Sequence, residues 1–119
     1  MSKDQQRLVD YLQHIQEAIV RIQNYVEDID ESSFLNNELV QDAVIRNLEV
    51  IGEASRNIGK NFPEYVKLHS EAPFSIAYEM RNALAHGYFK VDFEAVWKTI
   101  ERDLPEFQLV IKALLLELV

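Results

Sequence analysis

The chain has 119 residues, of which 48% are hydrophobic, and a formal net charge of −8. That length supports a core of its own, so a single domain over residues 1–119 is expected. With no cysteine, a disulfide framework and a thiolate metal site are both excluded, and His14, His69 and His86 are too scattered for zinc-ligand spacing.

In chain order, Met1-Ser2-Lys3-Asp4 opens polar and charged, which does not fit a secretory signal; a cytosolic location is expected. Lys3 to about Asp28 reads as one long helix. Leu8, Leu12, Ile15, Ile19, Ile22, Val26 and Ile29 recur at alternating steps of four and three, a seam suited to helix packing. His14 falls beside this seam, where a partly exposed helix histidine is the ordinary reading. Asp28 to Ser33 breaks the pattern and reads as a solvated turn; it lacks the ligand alternation and glycine of a calcium loop.

A second helix is expected from about Asn37 to Ile58, with Ser33 or Asn36 as cap and Gly59 as stop. Its inner side would be Leu39, Ala43, Leu48, Ile51, Ala54, Ser55 and Ile58. Gly52 in mid-helix costs about 1 kcal/mol relative to alanine, so a close helix approach is expected there. Arg46, Asn47, Glu49 and Glu53 are its polar positions, read on their own as a solvated face. Pro63 suits a first helical position, and a short helix fits Pro63 to Leu68, with His69 in a loop. Pro73 then opens a further helix carrying Phe74, Ala77, Tyr78, Leu84 and Ala85. Asp92 can cap the last segment. From Phe93 to Leu118 the apolar residues keep helical phase straight through Pro105, which implies a last helix kinked near that proline. The run Leu109 to Val119 carries Lys112 and Glu117 and is too short to span a bilayer; no membrane partner is expected. No β alternation occurs. The expected fold is all-α: an up-down bundle of about four to five helices.

The chemistry concentrates in Arg81-Asn82-Ala83-Leu84-Ala85-His86-Gly87-Tyr88. Five positions on a continuous helix separate two side chains by roughly 140°, so Arg81 and His86 would diverge in mid-helix. Gly87 is a stop signal. It puts His86 at the helix end, where it can meet Arg81, and Tyr88 in the loop beyond. The macrodipole favours a protonated imidazole at that end.

Arg-x-x-x-x-His-x-Tyr, with Asn after the Arg, resembles the signature of the HEPN superfamily of small helical RNases. More narrowly it resembles the HepT-like toxins encoded beside a minimal nucleotidyltransferase antitoxin, MntA. Asn47-Leu48-Glu49-Val50-Ile51-Gly52-Glu53-Ala54 resembles that family's second-helix signature. The segments Ile76 to Asn82, Val91 to Trp97 and Asp103-Leu104-Pro105 match what surrounds its motif. Phe74 stands where a Trp is expected, a packing swap. The resemblance implies a HEPN-like bundle acting as a homodimer. It implies a metal-independent endoribonuclease with Arg81 and His86 as catalytic pair, no cofactor, and a 2′,3′-cyclic phosphate product. Asn82 would have a supporting role, and Arg46 and Glu53 would border the cleft. It further implies that an MntA-like antitoxin adenylylates Tyr88. RNA is the expected substrate and DNA is not.

Acidity argues against a generic RNA binder, but it is uneven. Residues 1–50 hold 4 basic and 10 acidic side chains; residues 51–119, which carry the motif, hold 8 and 10. Other readings stay open on residues alone. Arg81 can pair with Glu79 or with an acid across the bundle, while His86 satisfies helix-end carbonyls. The chain can also be a non-catalytic partner subunit of a nucleotidyltransferase, or a dimerisation module. The regular seam of the first helix suggests apolar surface to spare for a second copy.

Overall fold

The computed structural model describes residues 2–86 and 91–119, with the backbone alone at 85 and 86. Gly87 and Tyr88, and with them the expected helix stop and loop, lie outside the described residues. Every regular element among the described residues is helical: α1 (Lys3–Val26), α2 (Glu31–Leu35), α3 (Glu38–Asn61), α4 (Pro63–Leu68), α5 (Phe74–His86), α6 (Phe93–Lys98), a π-helical turn (Thr99–Asp103) and α7 (Leu104–Leu118). The all-α bundle is as expected. The larger number of segments reflects two one-turn helices and the division of the last helix.

Ser2 caps α1 by accepting from the Gln5 N–H. The α1 seam is consumed inside the chain: Leu12, Ile15, Ile19 and Ile22 are fully buried and Leu8 nearly so. The expected spare apolar surface on this seam is therefore absent; α3 and α7 cover it. The contact with α7 is antiparallel, because Gln5 Nε2 donates to the Leu118 carbonyl at 3.2 Å while Gln23 and Gln108 exchange amide hydrogen bonds at 3.0 and 3.2 Å. Exposed apolar side chains sit elsewhere, at Leu39, Leu68, Ile76, Leu109 and Leu116.

The expected turn after α1 is partly a helix. Asp30 caps α2 by accepting from Ser33 N at 2.8 Å. This turn exists to deliver Phe34, which is completely buried and packs on Trp97 and Phe93, with ring centroids 5.3 and 6.2 Å away. Gln41 of α3, itself buried, donates to the Phe34 and Leu35 carbonyls and so ties off orphan acceptors at the α2 end.

Asn37, rather than Ser33 or Asn36, caps α3, and the helix runs through Gly59 to Asn61. No described glycine has a positive φ, so Gly59 is an ordinary helical residue. Leu39 is 81% exposed and Val44 is buried in its place. Asn47 is buried too, its amide donating to the Ala43 carbonyl at 2.9 Å. Near Pro105 the helix widens. The Leu104 N–H reaches back five residues to the Thr99 carbonyl, which makes room beside the Glu101 carbonyl that a proline ring four residues on would otherwise strike. The apolar phase survives: Val96, Trp97, Ile100, Leu104, Phe107, Ile111 and Leu114 are all buried.

At the other end, α4 is held against α7 through His69. Its ring stacks on Tyr65 at 4.1 Å, Nδ1 lies 2.9 Å from the Tyr65 carbonyl, and Nε2 lies 3.4 Å from Glu117. His69 is thus a fastening residue rather than a loop ornament. The Tyr65 hydroxyl is buried without a hydrogen-bond partner among the described residues. Burial first, then the charges of Glu117 and Glu71, pushes its phenol from 10 up to about 12. A raised folded-state value means this contribution to stability is intact below pH 10 and is lost as pH climbs from 10 towards 12. The melting temperature is therefore expected to fall through that window, and Tyr65→Phe to fall less. Equal slopes for the two proteins would contradict this.

Candidate functional site

α3 is the central helix, with α1 on one flank and α5 on another. The contact between α3 and α5 is closest at Gly52. A Cβ built there would overlap Arg81 Cβ and lie 2.8 Å from Arg81 Cγ and 2.9 Å from the Ala77 carbonyl oxygen. The missing side chain is what lets the Arg81 stem cross α3, as the mid-helix glycine suggested.

Arg81 then extends to Glu53, one position beyond Gly52, with Nε 3.8 Å from Glu53 Oε2. Arg56 approaches the same carboxyl group, Nη1 to Oε1 at 3.6 Å. One carboxylate thus stands between two guanidinium groups. Arg81 also donates through Nη1 to Asn82 Oδ1 at 3.2 Å. The Arg81 and Glu53 side chains are 32% and 46% exposed, so the pair is screened and loose. Such pairs contribute about 0–1 kcal/mol, and an incoming phosphate can compete for the guanidinium.

The acid across the bundle from Arg81 is therefore Glu53 of α3. Tyr78, one turn before Asn82, joins the cluster: the Arg56 guanidinium carbon lies 6.0 Å from its ring centroid. The Asn82 side chain, then Arg56 and Arg81, holds the Tyr78 phenol below the usual tyrosine range. From sequence Tyr78 reads as part of the apolar surface of its helix, and Arg56 carries no reading. Their only sequence signals are i,i+4 spacing to Asn82 and i,i+3 spacing to Glu53.

Arg81 and Glu53 also open onto a cleft of about 380 Å³ between α1, α3 and α5, shared with Arg46, Glu49, Tyr11 and His14. The cleft brings together three of the expected site residues, Arg46, Glu53 and Arg81, with Asn82 bonded to the third. His86 is the last residue of α5; its side chain, and so its meeting with Arg81, lies outside the described residues, as does Tyr88. His14 is a cleft residue that periodicity alone placed beside a seam. A second hollow, about 310 Å³ and mainly apolar, lies between α5 and the π-turn and α7, bordered by Ile76, Met80, Leu104, Phe107 and Val110.

Among the described residues no group of three or more His, Asp or Glu side chains is placed to hold a metal ion, and no helix is long and apolar enough to cross a membrane. The family model for the ribonuclease HepT-like proteins matches residues 15–114. A Thermococcus cleftensis protein, named a probable ribonuclease HepT, is 43% identical over 99 residues, 83% of this chain and 87% of its own. A Methanocaldococcus jannaschii protein is 39% identical over 111 residues, 90% of each chain. One from Caldanaerobacter subterraneus is 34% identical over 105 residues, 88% of this chain and 91% of its own; both carry provisional RNase names. No solved structure matches the chain. The match over most of the sequence, with an all-helical bundle around it, places the chain in the HepT-like ribonuclease family.

Proposed function

We propose that the chain is an endoribonuclease that cleaves RNA without a metal ion, through Arg81 and His86 of its Arg-x4-His-x-Tyr motif. The observation that carries this is the family match over residues 15–114, which spans the motif. In the reaction a base removes the ribose 2′-OH proton and the 2′-oxygen attacks phosphorus. The bond to the 5′-oxygen breaks, and an acid protonates that oxygen. The products are a 2′,3′-cyclic phosphate and a 5′-hydroxyl. DNA lacks the attacking hydroxyl and is not a substrate.

An imidazole can fill either proton-transfer role, which assigns one of them to His86. Arg81 presents a fixed charge and a donor fork to the phosphate oxygens, where negative charge builds in the transition state. Asn82 accepts from Arg81 and steadies its fork. Glu53 holds Arg81 until phosphate arrives, and Arg46 lends charge to the cleft. The test is cleavage of RNA by purified protein with EDTA present, with cyclic phosphate ends identified by mass. Loss of activity in EDTA, or 3′-phosphate-free ends from the outset, would overturn the reading.

One motif per chain provides one motif imidazole, so a homodimer that brings two motifs to one groove belongs to this proposal. Ile76, 63% exposed on the motif helix beside an apolar hollow, is the apolar surface such a pairing would cover. Light scattering at micromolar concentration is expected to give twice the chain mass. A fully active monomer would rule the dimer out.

Regulation falls to Tyr88. An MntA-like nucleotidyltransferase with Mg²⁺ would activate its phenol to attack the α-phosphate of ATP. A Tyr88 Oη–phosphorus bond forms, the bond to the β-phosphate oxygen breaks and pyrophosphate leaves, while the phenolic proton passes to the partner enzyme's base. The adenylate is then an anion two residues from His86, able to occupy the groups meant for RNA phosphate. Incubation with that partner and ATP is expected to add adenylate mass to wild type and not to Tyr88→Phe, and to silence cleavage. Equal mass gain in both proteins would show that another residue is modified.

A further inference from the structure

The proposed chemistry uses Arg81 with Glu53 and only the general charge of Arg46, and leaves Tyr11, His14 and Glu49 of the α1–α3–α5 cleft unexplained. We infer that this cleft is a subsite for one single-stranded ribonucleotide flanking the scissile phosphate, with Arg46 taking its phosphate and the His14 and Tyr11 rings facing its base. The inference rests on the ribonuclease reading and extends it from the reacting phosphate to its neighbour.

Size comes first. A cleft of about 380 Å³ lies near the lower end of small-ligand pockets, roughly 300–1,000 Å³, which admits one nucleotide and not a duplex. Composition comes second. Tyr11 and His14 stand three residues apart on α1, hence on one helix face, and both line the cleft. Two rings beside a guanidinium form the pairing by which proteins hold unpaired bases and their backbone.

Charge comes third. The Glu53 charge is spread over Arg56 and Arg81. Arg46 is exposed and forms no ion pair among the described residues. Along the cleft lining Arg46 and Arg81 balance Glu49 and Glu53, so the cleft is locally neutral within a chain of net charge −8, and Arg56 stands beside Glu53 outside that lining. The acidity of the chain is thus cancelled locally, and the exposed Arg46 is the cation left to take a phosphate once Glu53 is shared by Arg81 and Arg56. This balance also marks Glu49 as the opposing charge in the subsite. Packing does not account for His14, which is solvent-exposed and forms no ion pair among the described residues.

The probe is a 2′-O-methyl single-stranded oligonucleotide, which binds but cannot be cleaved, followed by fluorescence anisotropy across a salt series at about pH 8.5, where an ordinary imidazole is uncharged. Arg46→Gln should weaken binding and reduce the slope of log affinity against log salt by about 0.7, the value for one single-strand phosphate contact. His14→Ala should weaken binding about fivefold, the lower end for loss of one base-stacking partner, with the slope unchanged. Glu49→Gln should tighten binding, a gain that misfolding cannot imitate. All three positions are exposed or half-exposed, so these variants are expected to fold. Wild-type isotherms for Arg46→Gln and His14→Ala would overturn the subsite. So would dissociation of a wild-type dimer by Arg46→Gln with the salt slope unchanged, which would make the cleft an interface between copies. Because the probe is not cleaved, these results stand whether or not the wild-type protein cuts RNA, and the EDTA assay alone decides the cleavage reading.

Discussion

His86→Ala is expected to lower the rate of RNA cleavage by at least a factor of about 10²–10⁴, the range for loss of one proton-transfer group, since the dimer loses an imidazole from each copy. Arg81→Ala should fall as far for a different reason. The guanidinium supplies fixed charge where the phosphorane-like transition state gathers negative charge, and interactions made only there lower kcat as well as kcat/KM. Its removal also leaves Glu53 with Arg56 as its remaining cationic neighbour, so a carboxylate faces the phosphate with less compensation. Arg81→Lys keeps the charge and loses the planar fork; it should recover part of the rate and not all of it. The two losses should differ in pH dependence. Because both copies in the dimer carry the substitution, His86→Ala removes both imidazole limbs of a bell-shaped profile, whereas deleting a guanidinium lowers the profile without reshaping it. Undiminished cleavage by His86→Ala would remove the histidine from the mechanism. Reshaping of the profile by Arg81→Ala would show that the arginine acts by tuning a proton-transfer group rather than by charge.

Glu53 offers a check on the same cluster from the other side. With Arg56 at 3.6 Å and Arg81 at 3.8 Å, it competes with phosphate for Arg81. Double substitution of Glu53 and Arg81 should therefore be non-additive, as expected for side chains sharing a partner.

What could be read from the chain depended on whether a signal was periodic or lateral. The α1 seam, the apolar phase through Pro105, the Asp92 cap and the packing purpose of Gly52 are all local patterns, and each was legible because side-chain direction repeats along a helix. Pro105 forecast a disturbance in the last helix; that it takes the form of a π-turn depends on which carbonyl has to move, which spacing cannot say. Phe34 was missed because five residues are too few for periodicity to register, and its burial is decided by Trp97 and Phe93, some sixty positions away. Gly59 was misread as a stop because glycine is equally permissive inside a helix; only the absence of positive φ distinguishes the two. At the site, Arg81 stood out by its motif, while its pairing with Glu53 joins two helices and has no sequence signature. His14 illustrates the limit best. Its phase placed it next to a buried seam, and only the position of α3 decides that the next thing it meets is a cleft with Arg46 and Arg81.

Gly52→Ala is expected to destabilise the protein and reduce cleavage, while the same substitution at Gly59, seven residues along the same helix, should stabilise it. Helix propensity alone favours alanine by about 1 kcal/mol at both positions. At Gly59 nothing among the described residues, apart from the chain neighbours and the helix's own adjoining backbone, lies within 4 Å of the added carbon, and neither glycine has a positive φ, so that gain is realised. At Gly52 the new carbon meets Arg81 Cβ and the Ala77 carbonyl oxygen, 2.9 Å away. The first is the root of a side chain and the second is backbone, so neither can swing aside as a flexible side-chain end would. The helix must move instead. Overpacking of this kind costs about 1–3 kcal/mol, enough to cancel the propensity gain and, over most of that range, to exceed it. The larger consequence is for function. Moving α5 away from α3 carries Arg81 with it, and a displacement of about 1 Å in a positioning group can cost on the order of 10²-fold in rate. Thermal denaturation of the two variants, with cleavage assayed well below both melting temperatures, separates the effects. Gly59→Ala should melt higher with normal activity, and Gly52→Ala should melt lower and remain impaired even where it is fully folded. Full activity in folded Gly52→Ala would mean that Arg81 does not need its present seat against α3.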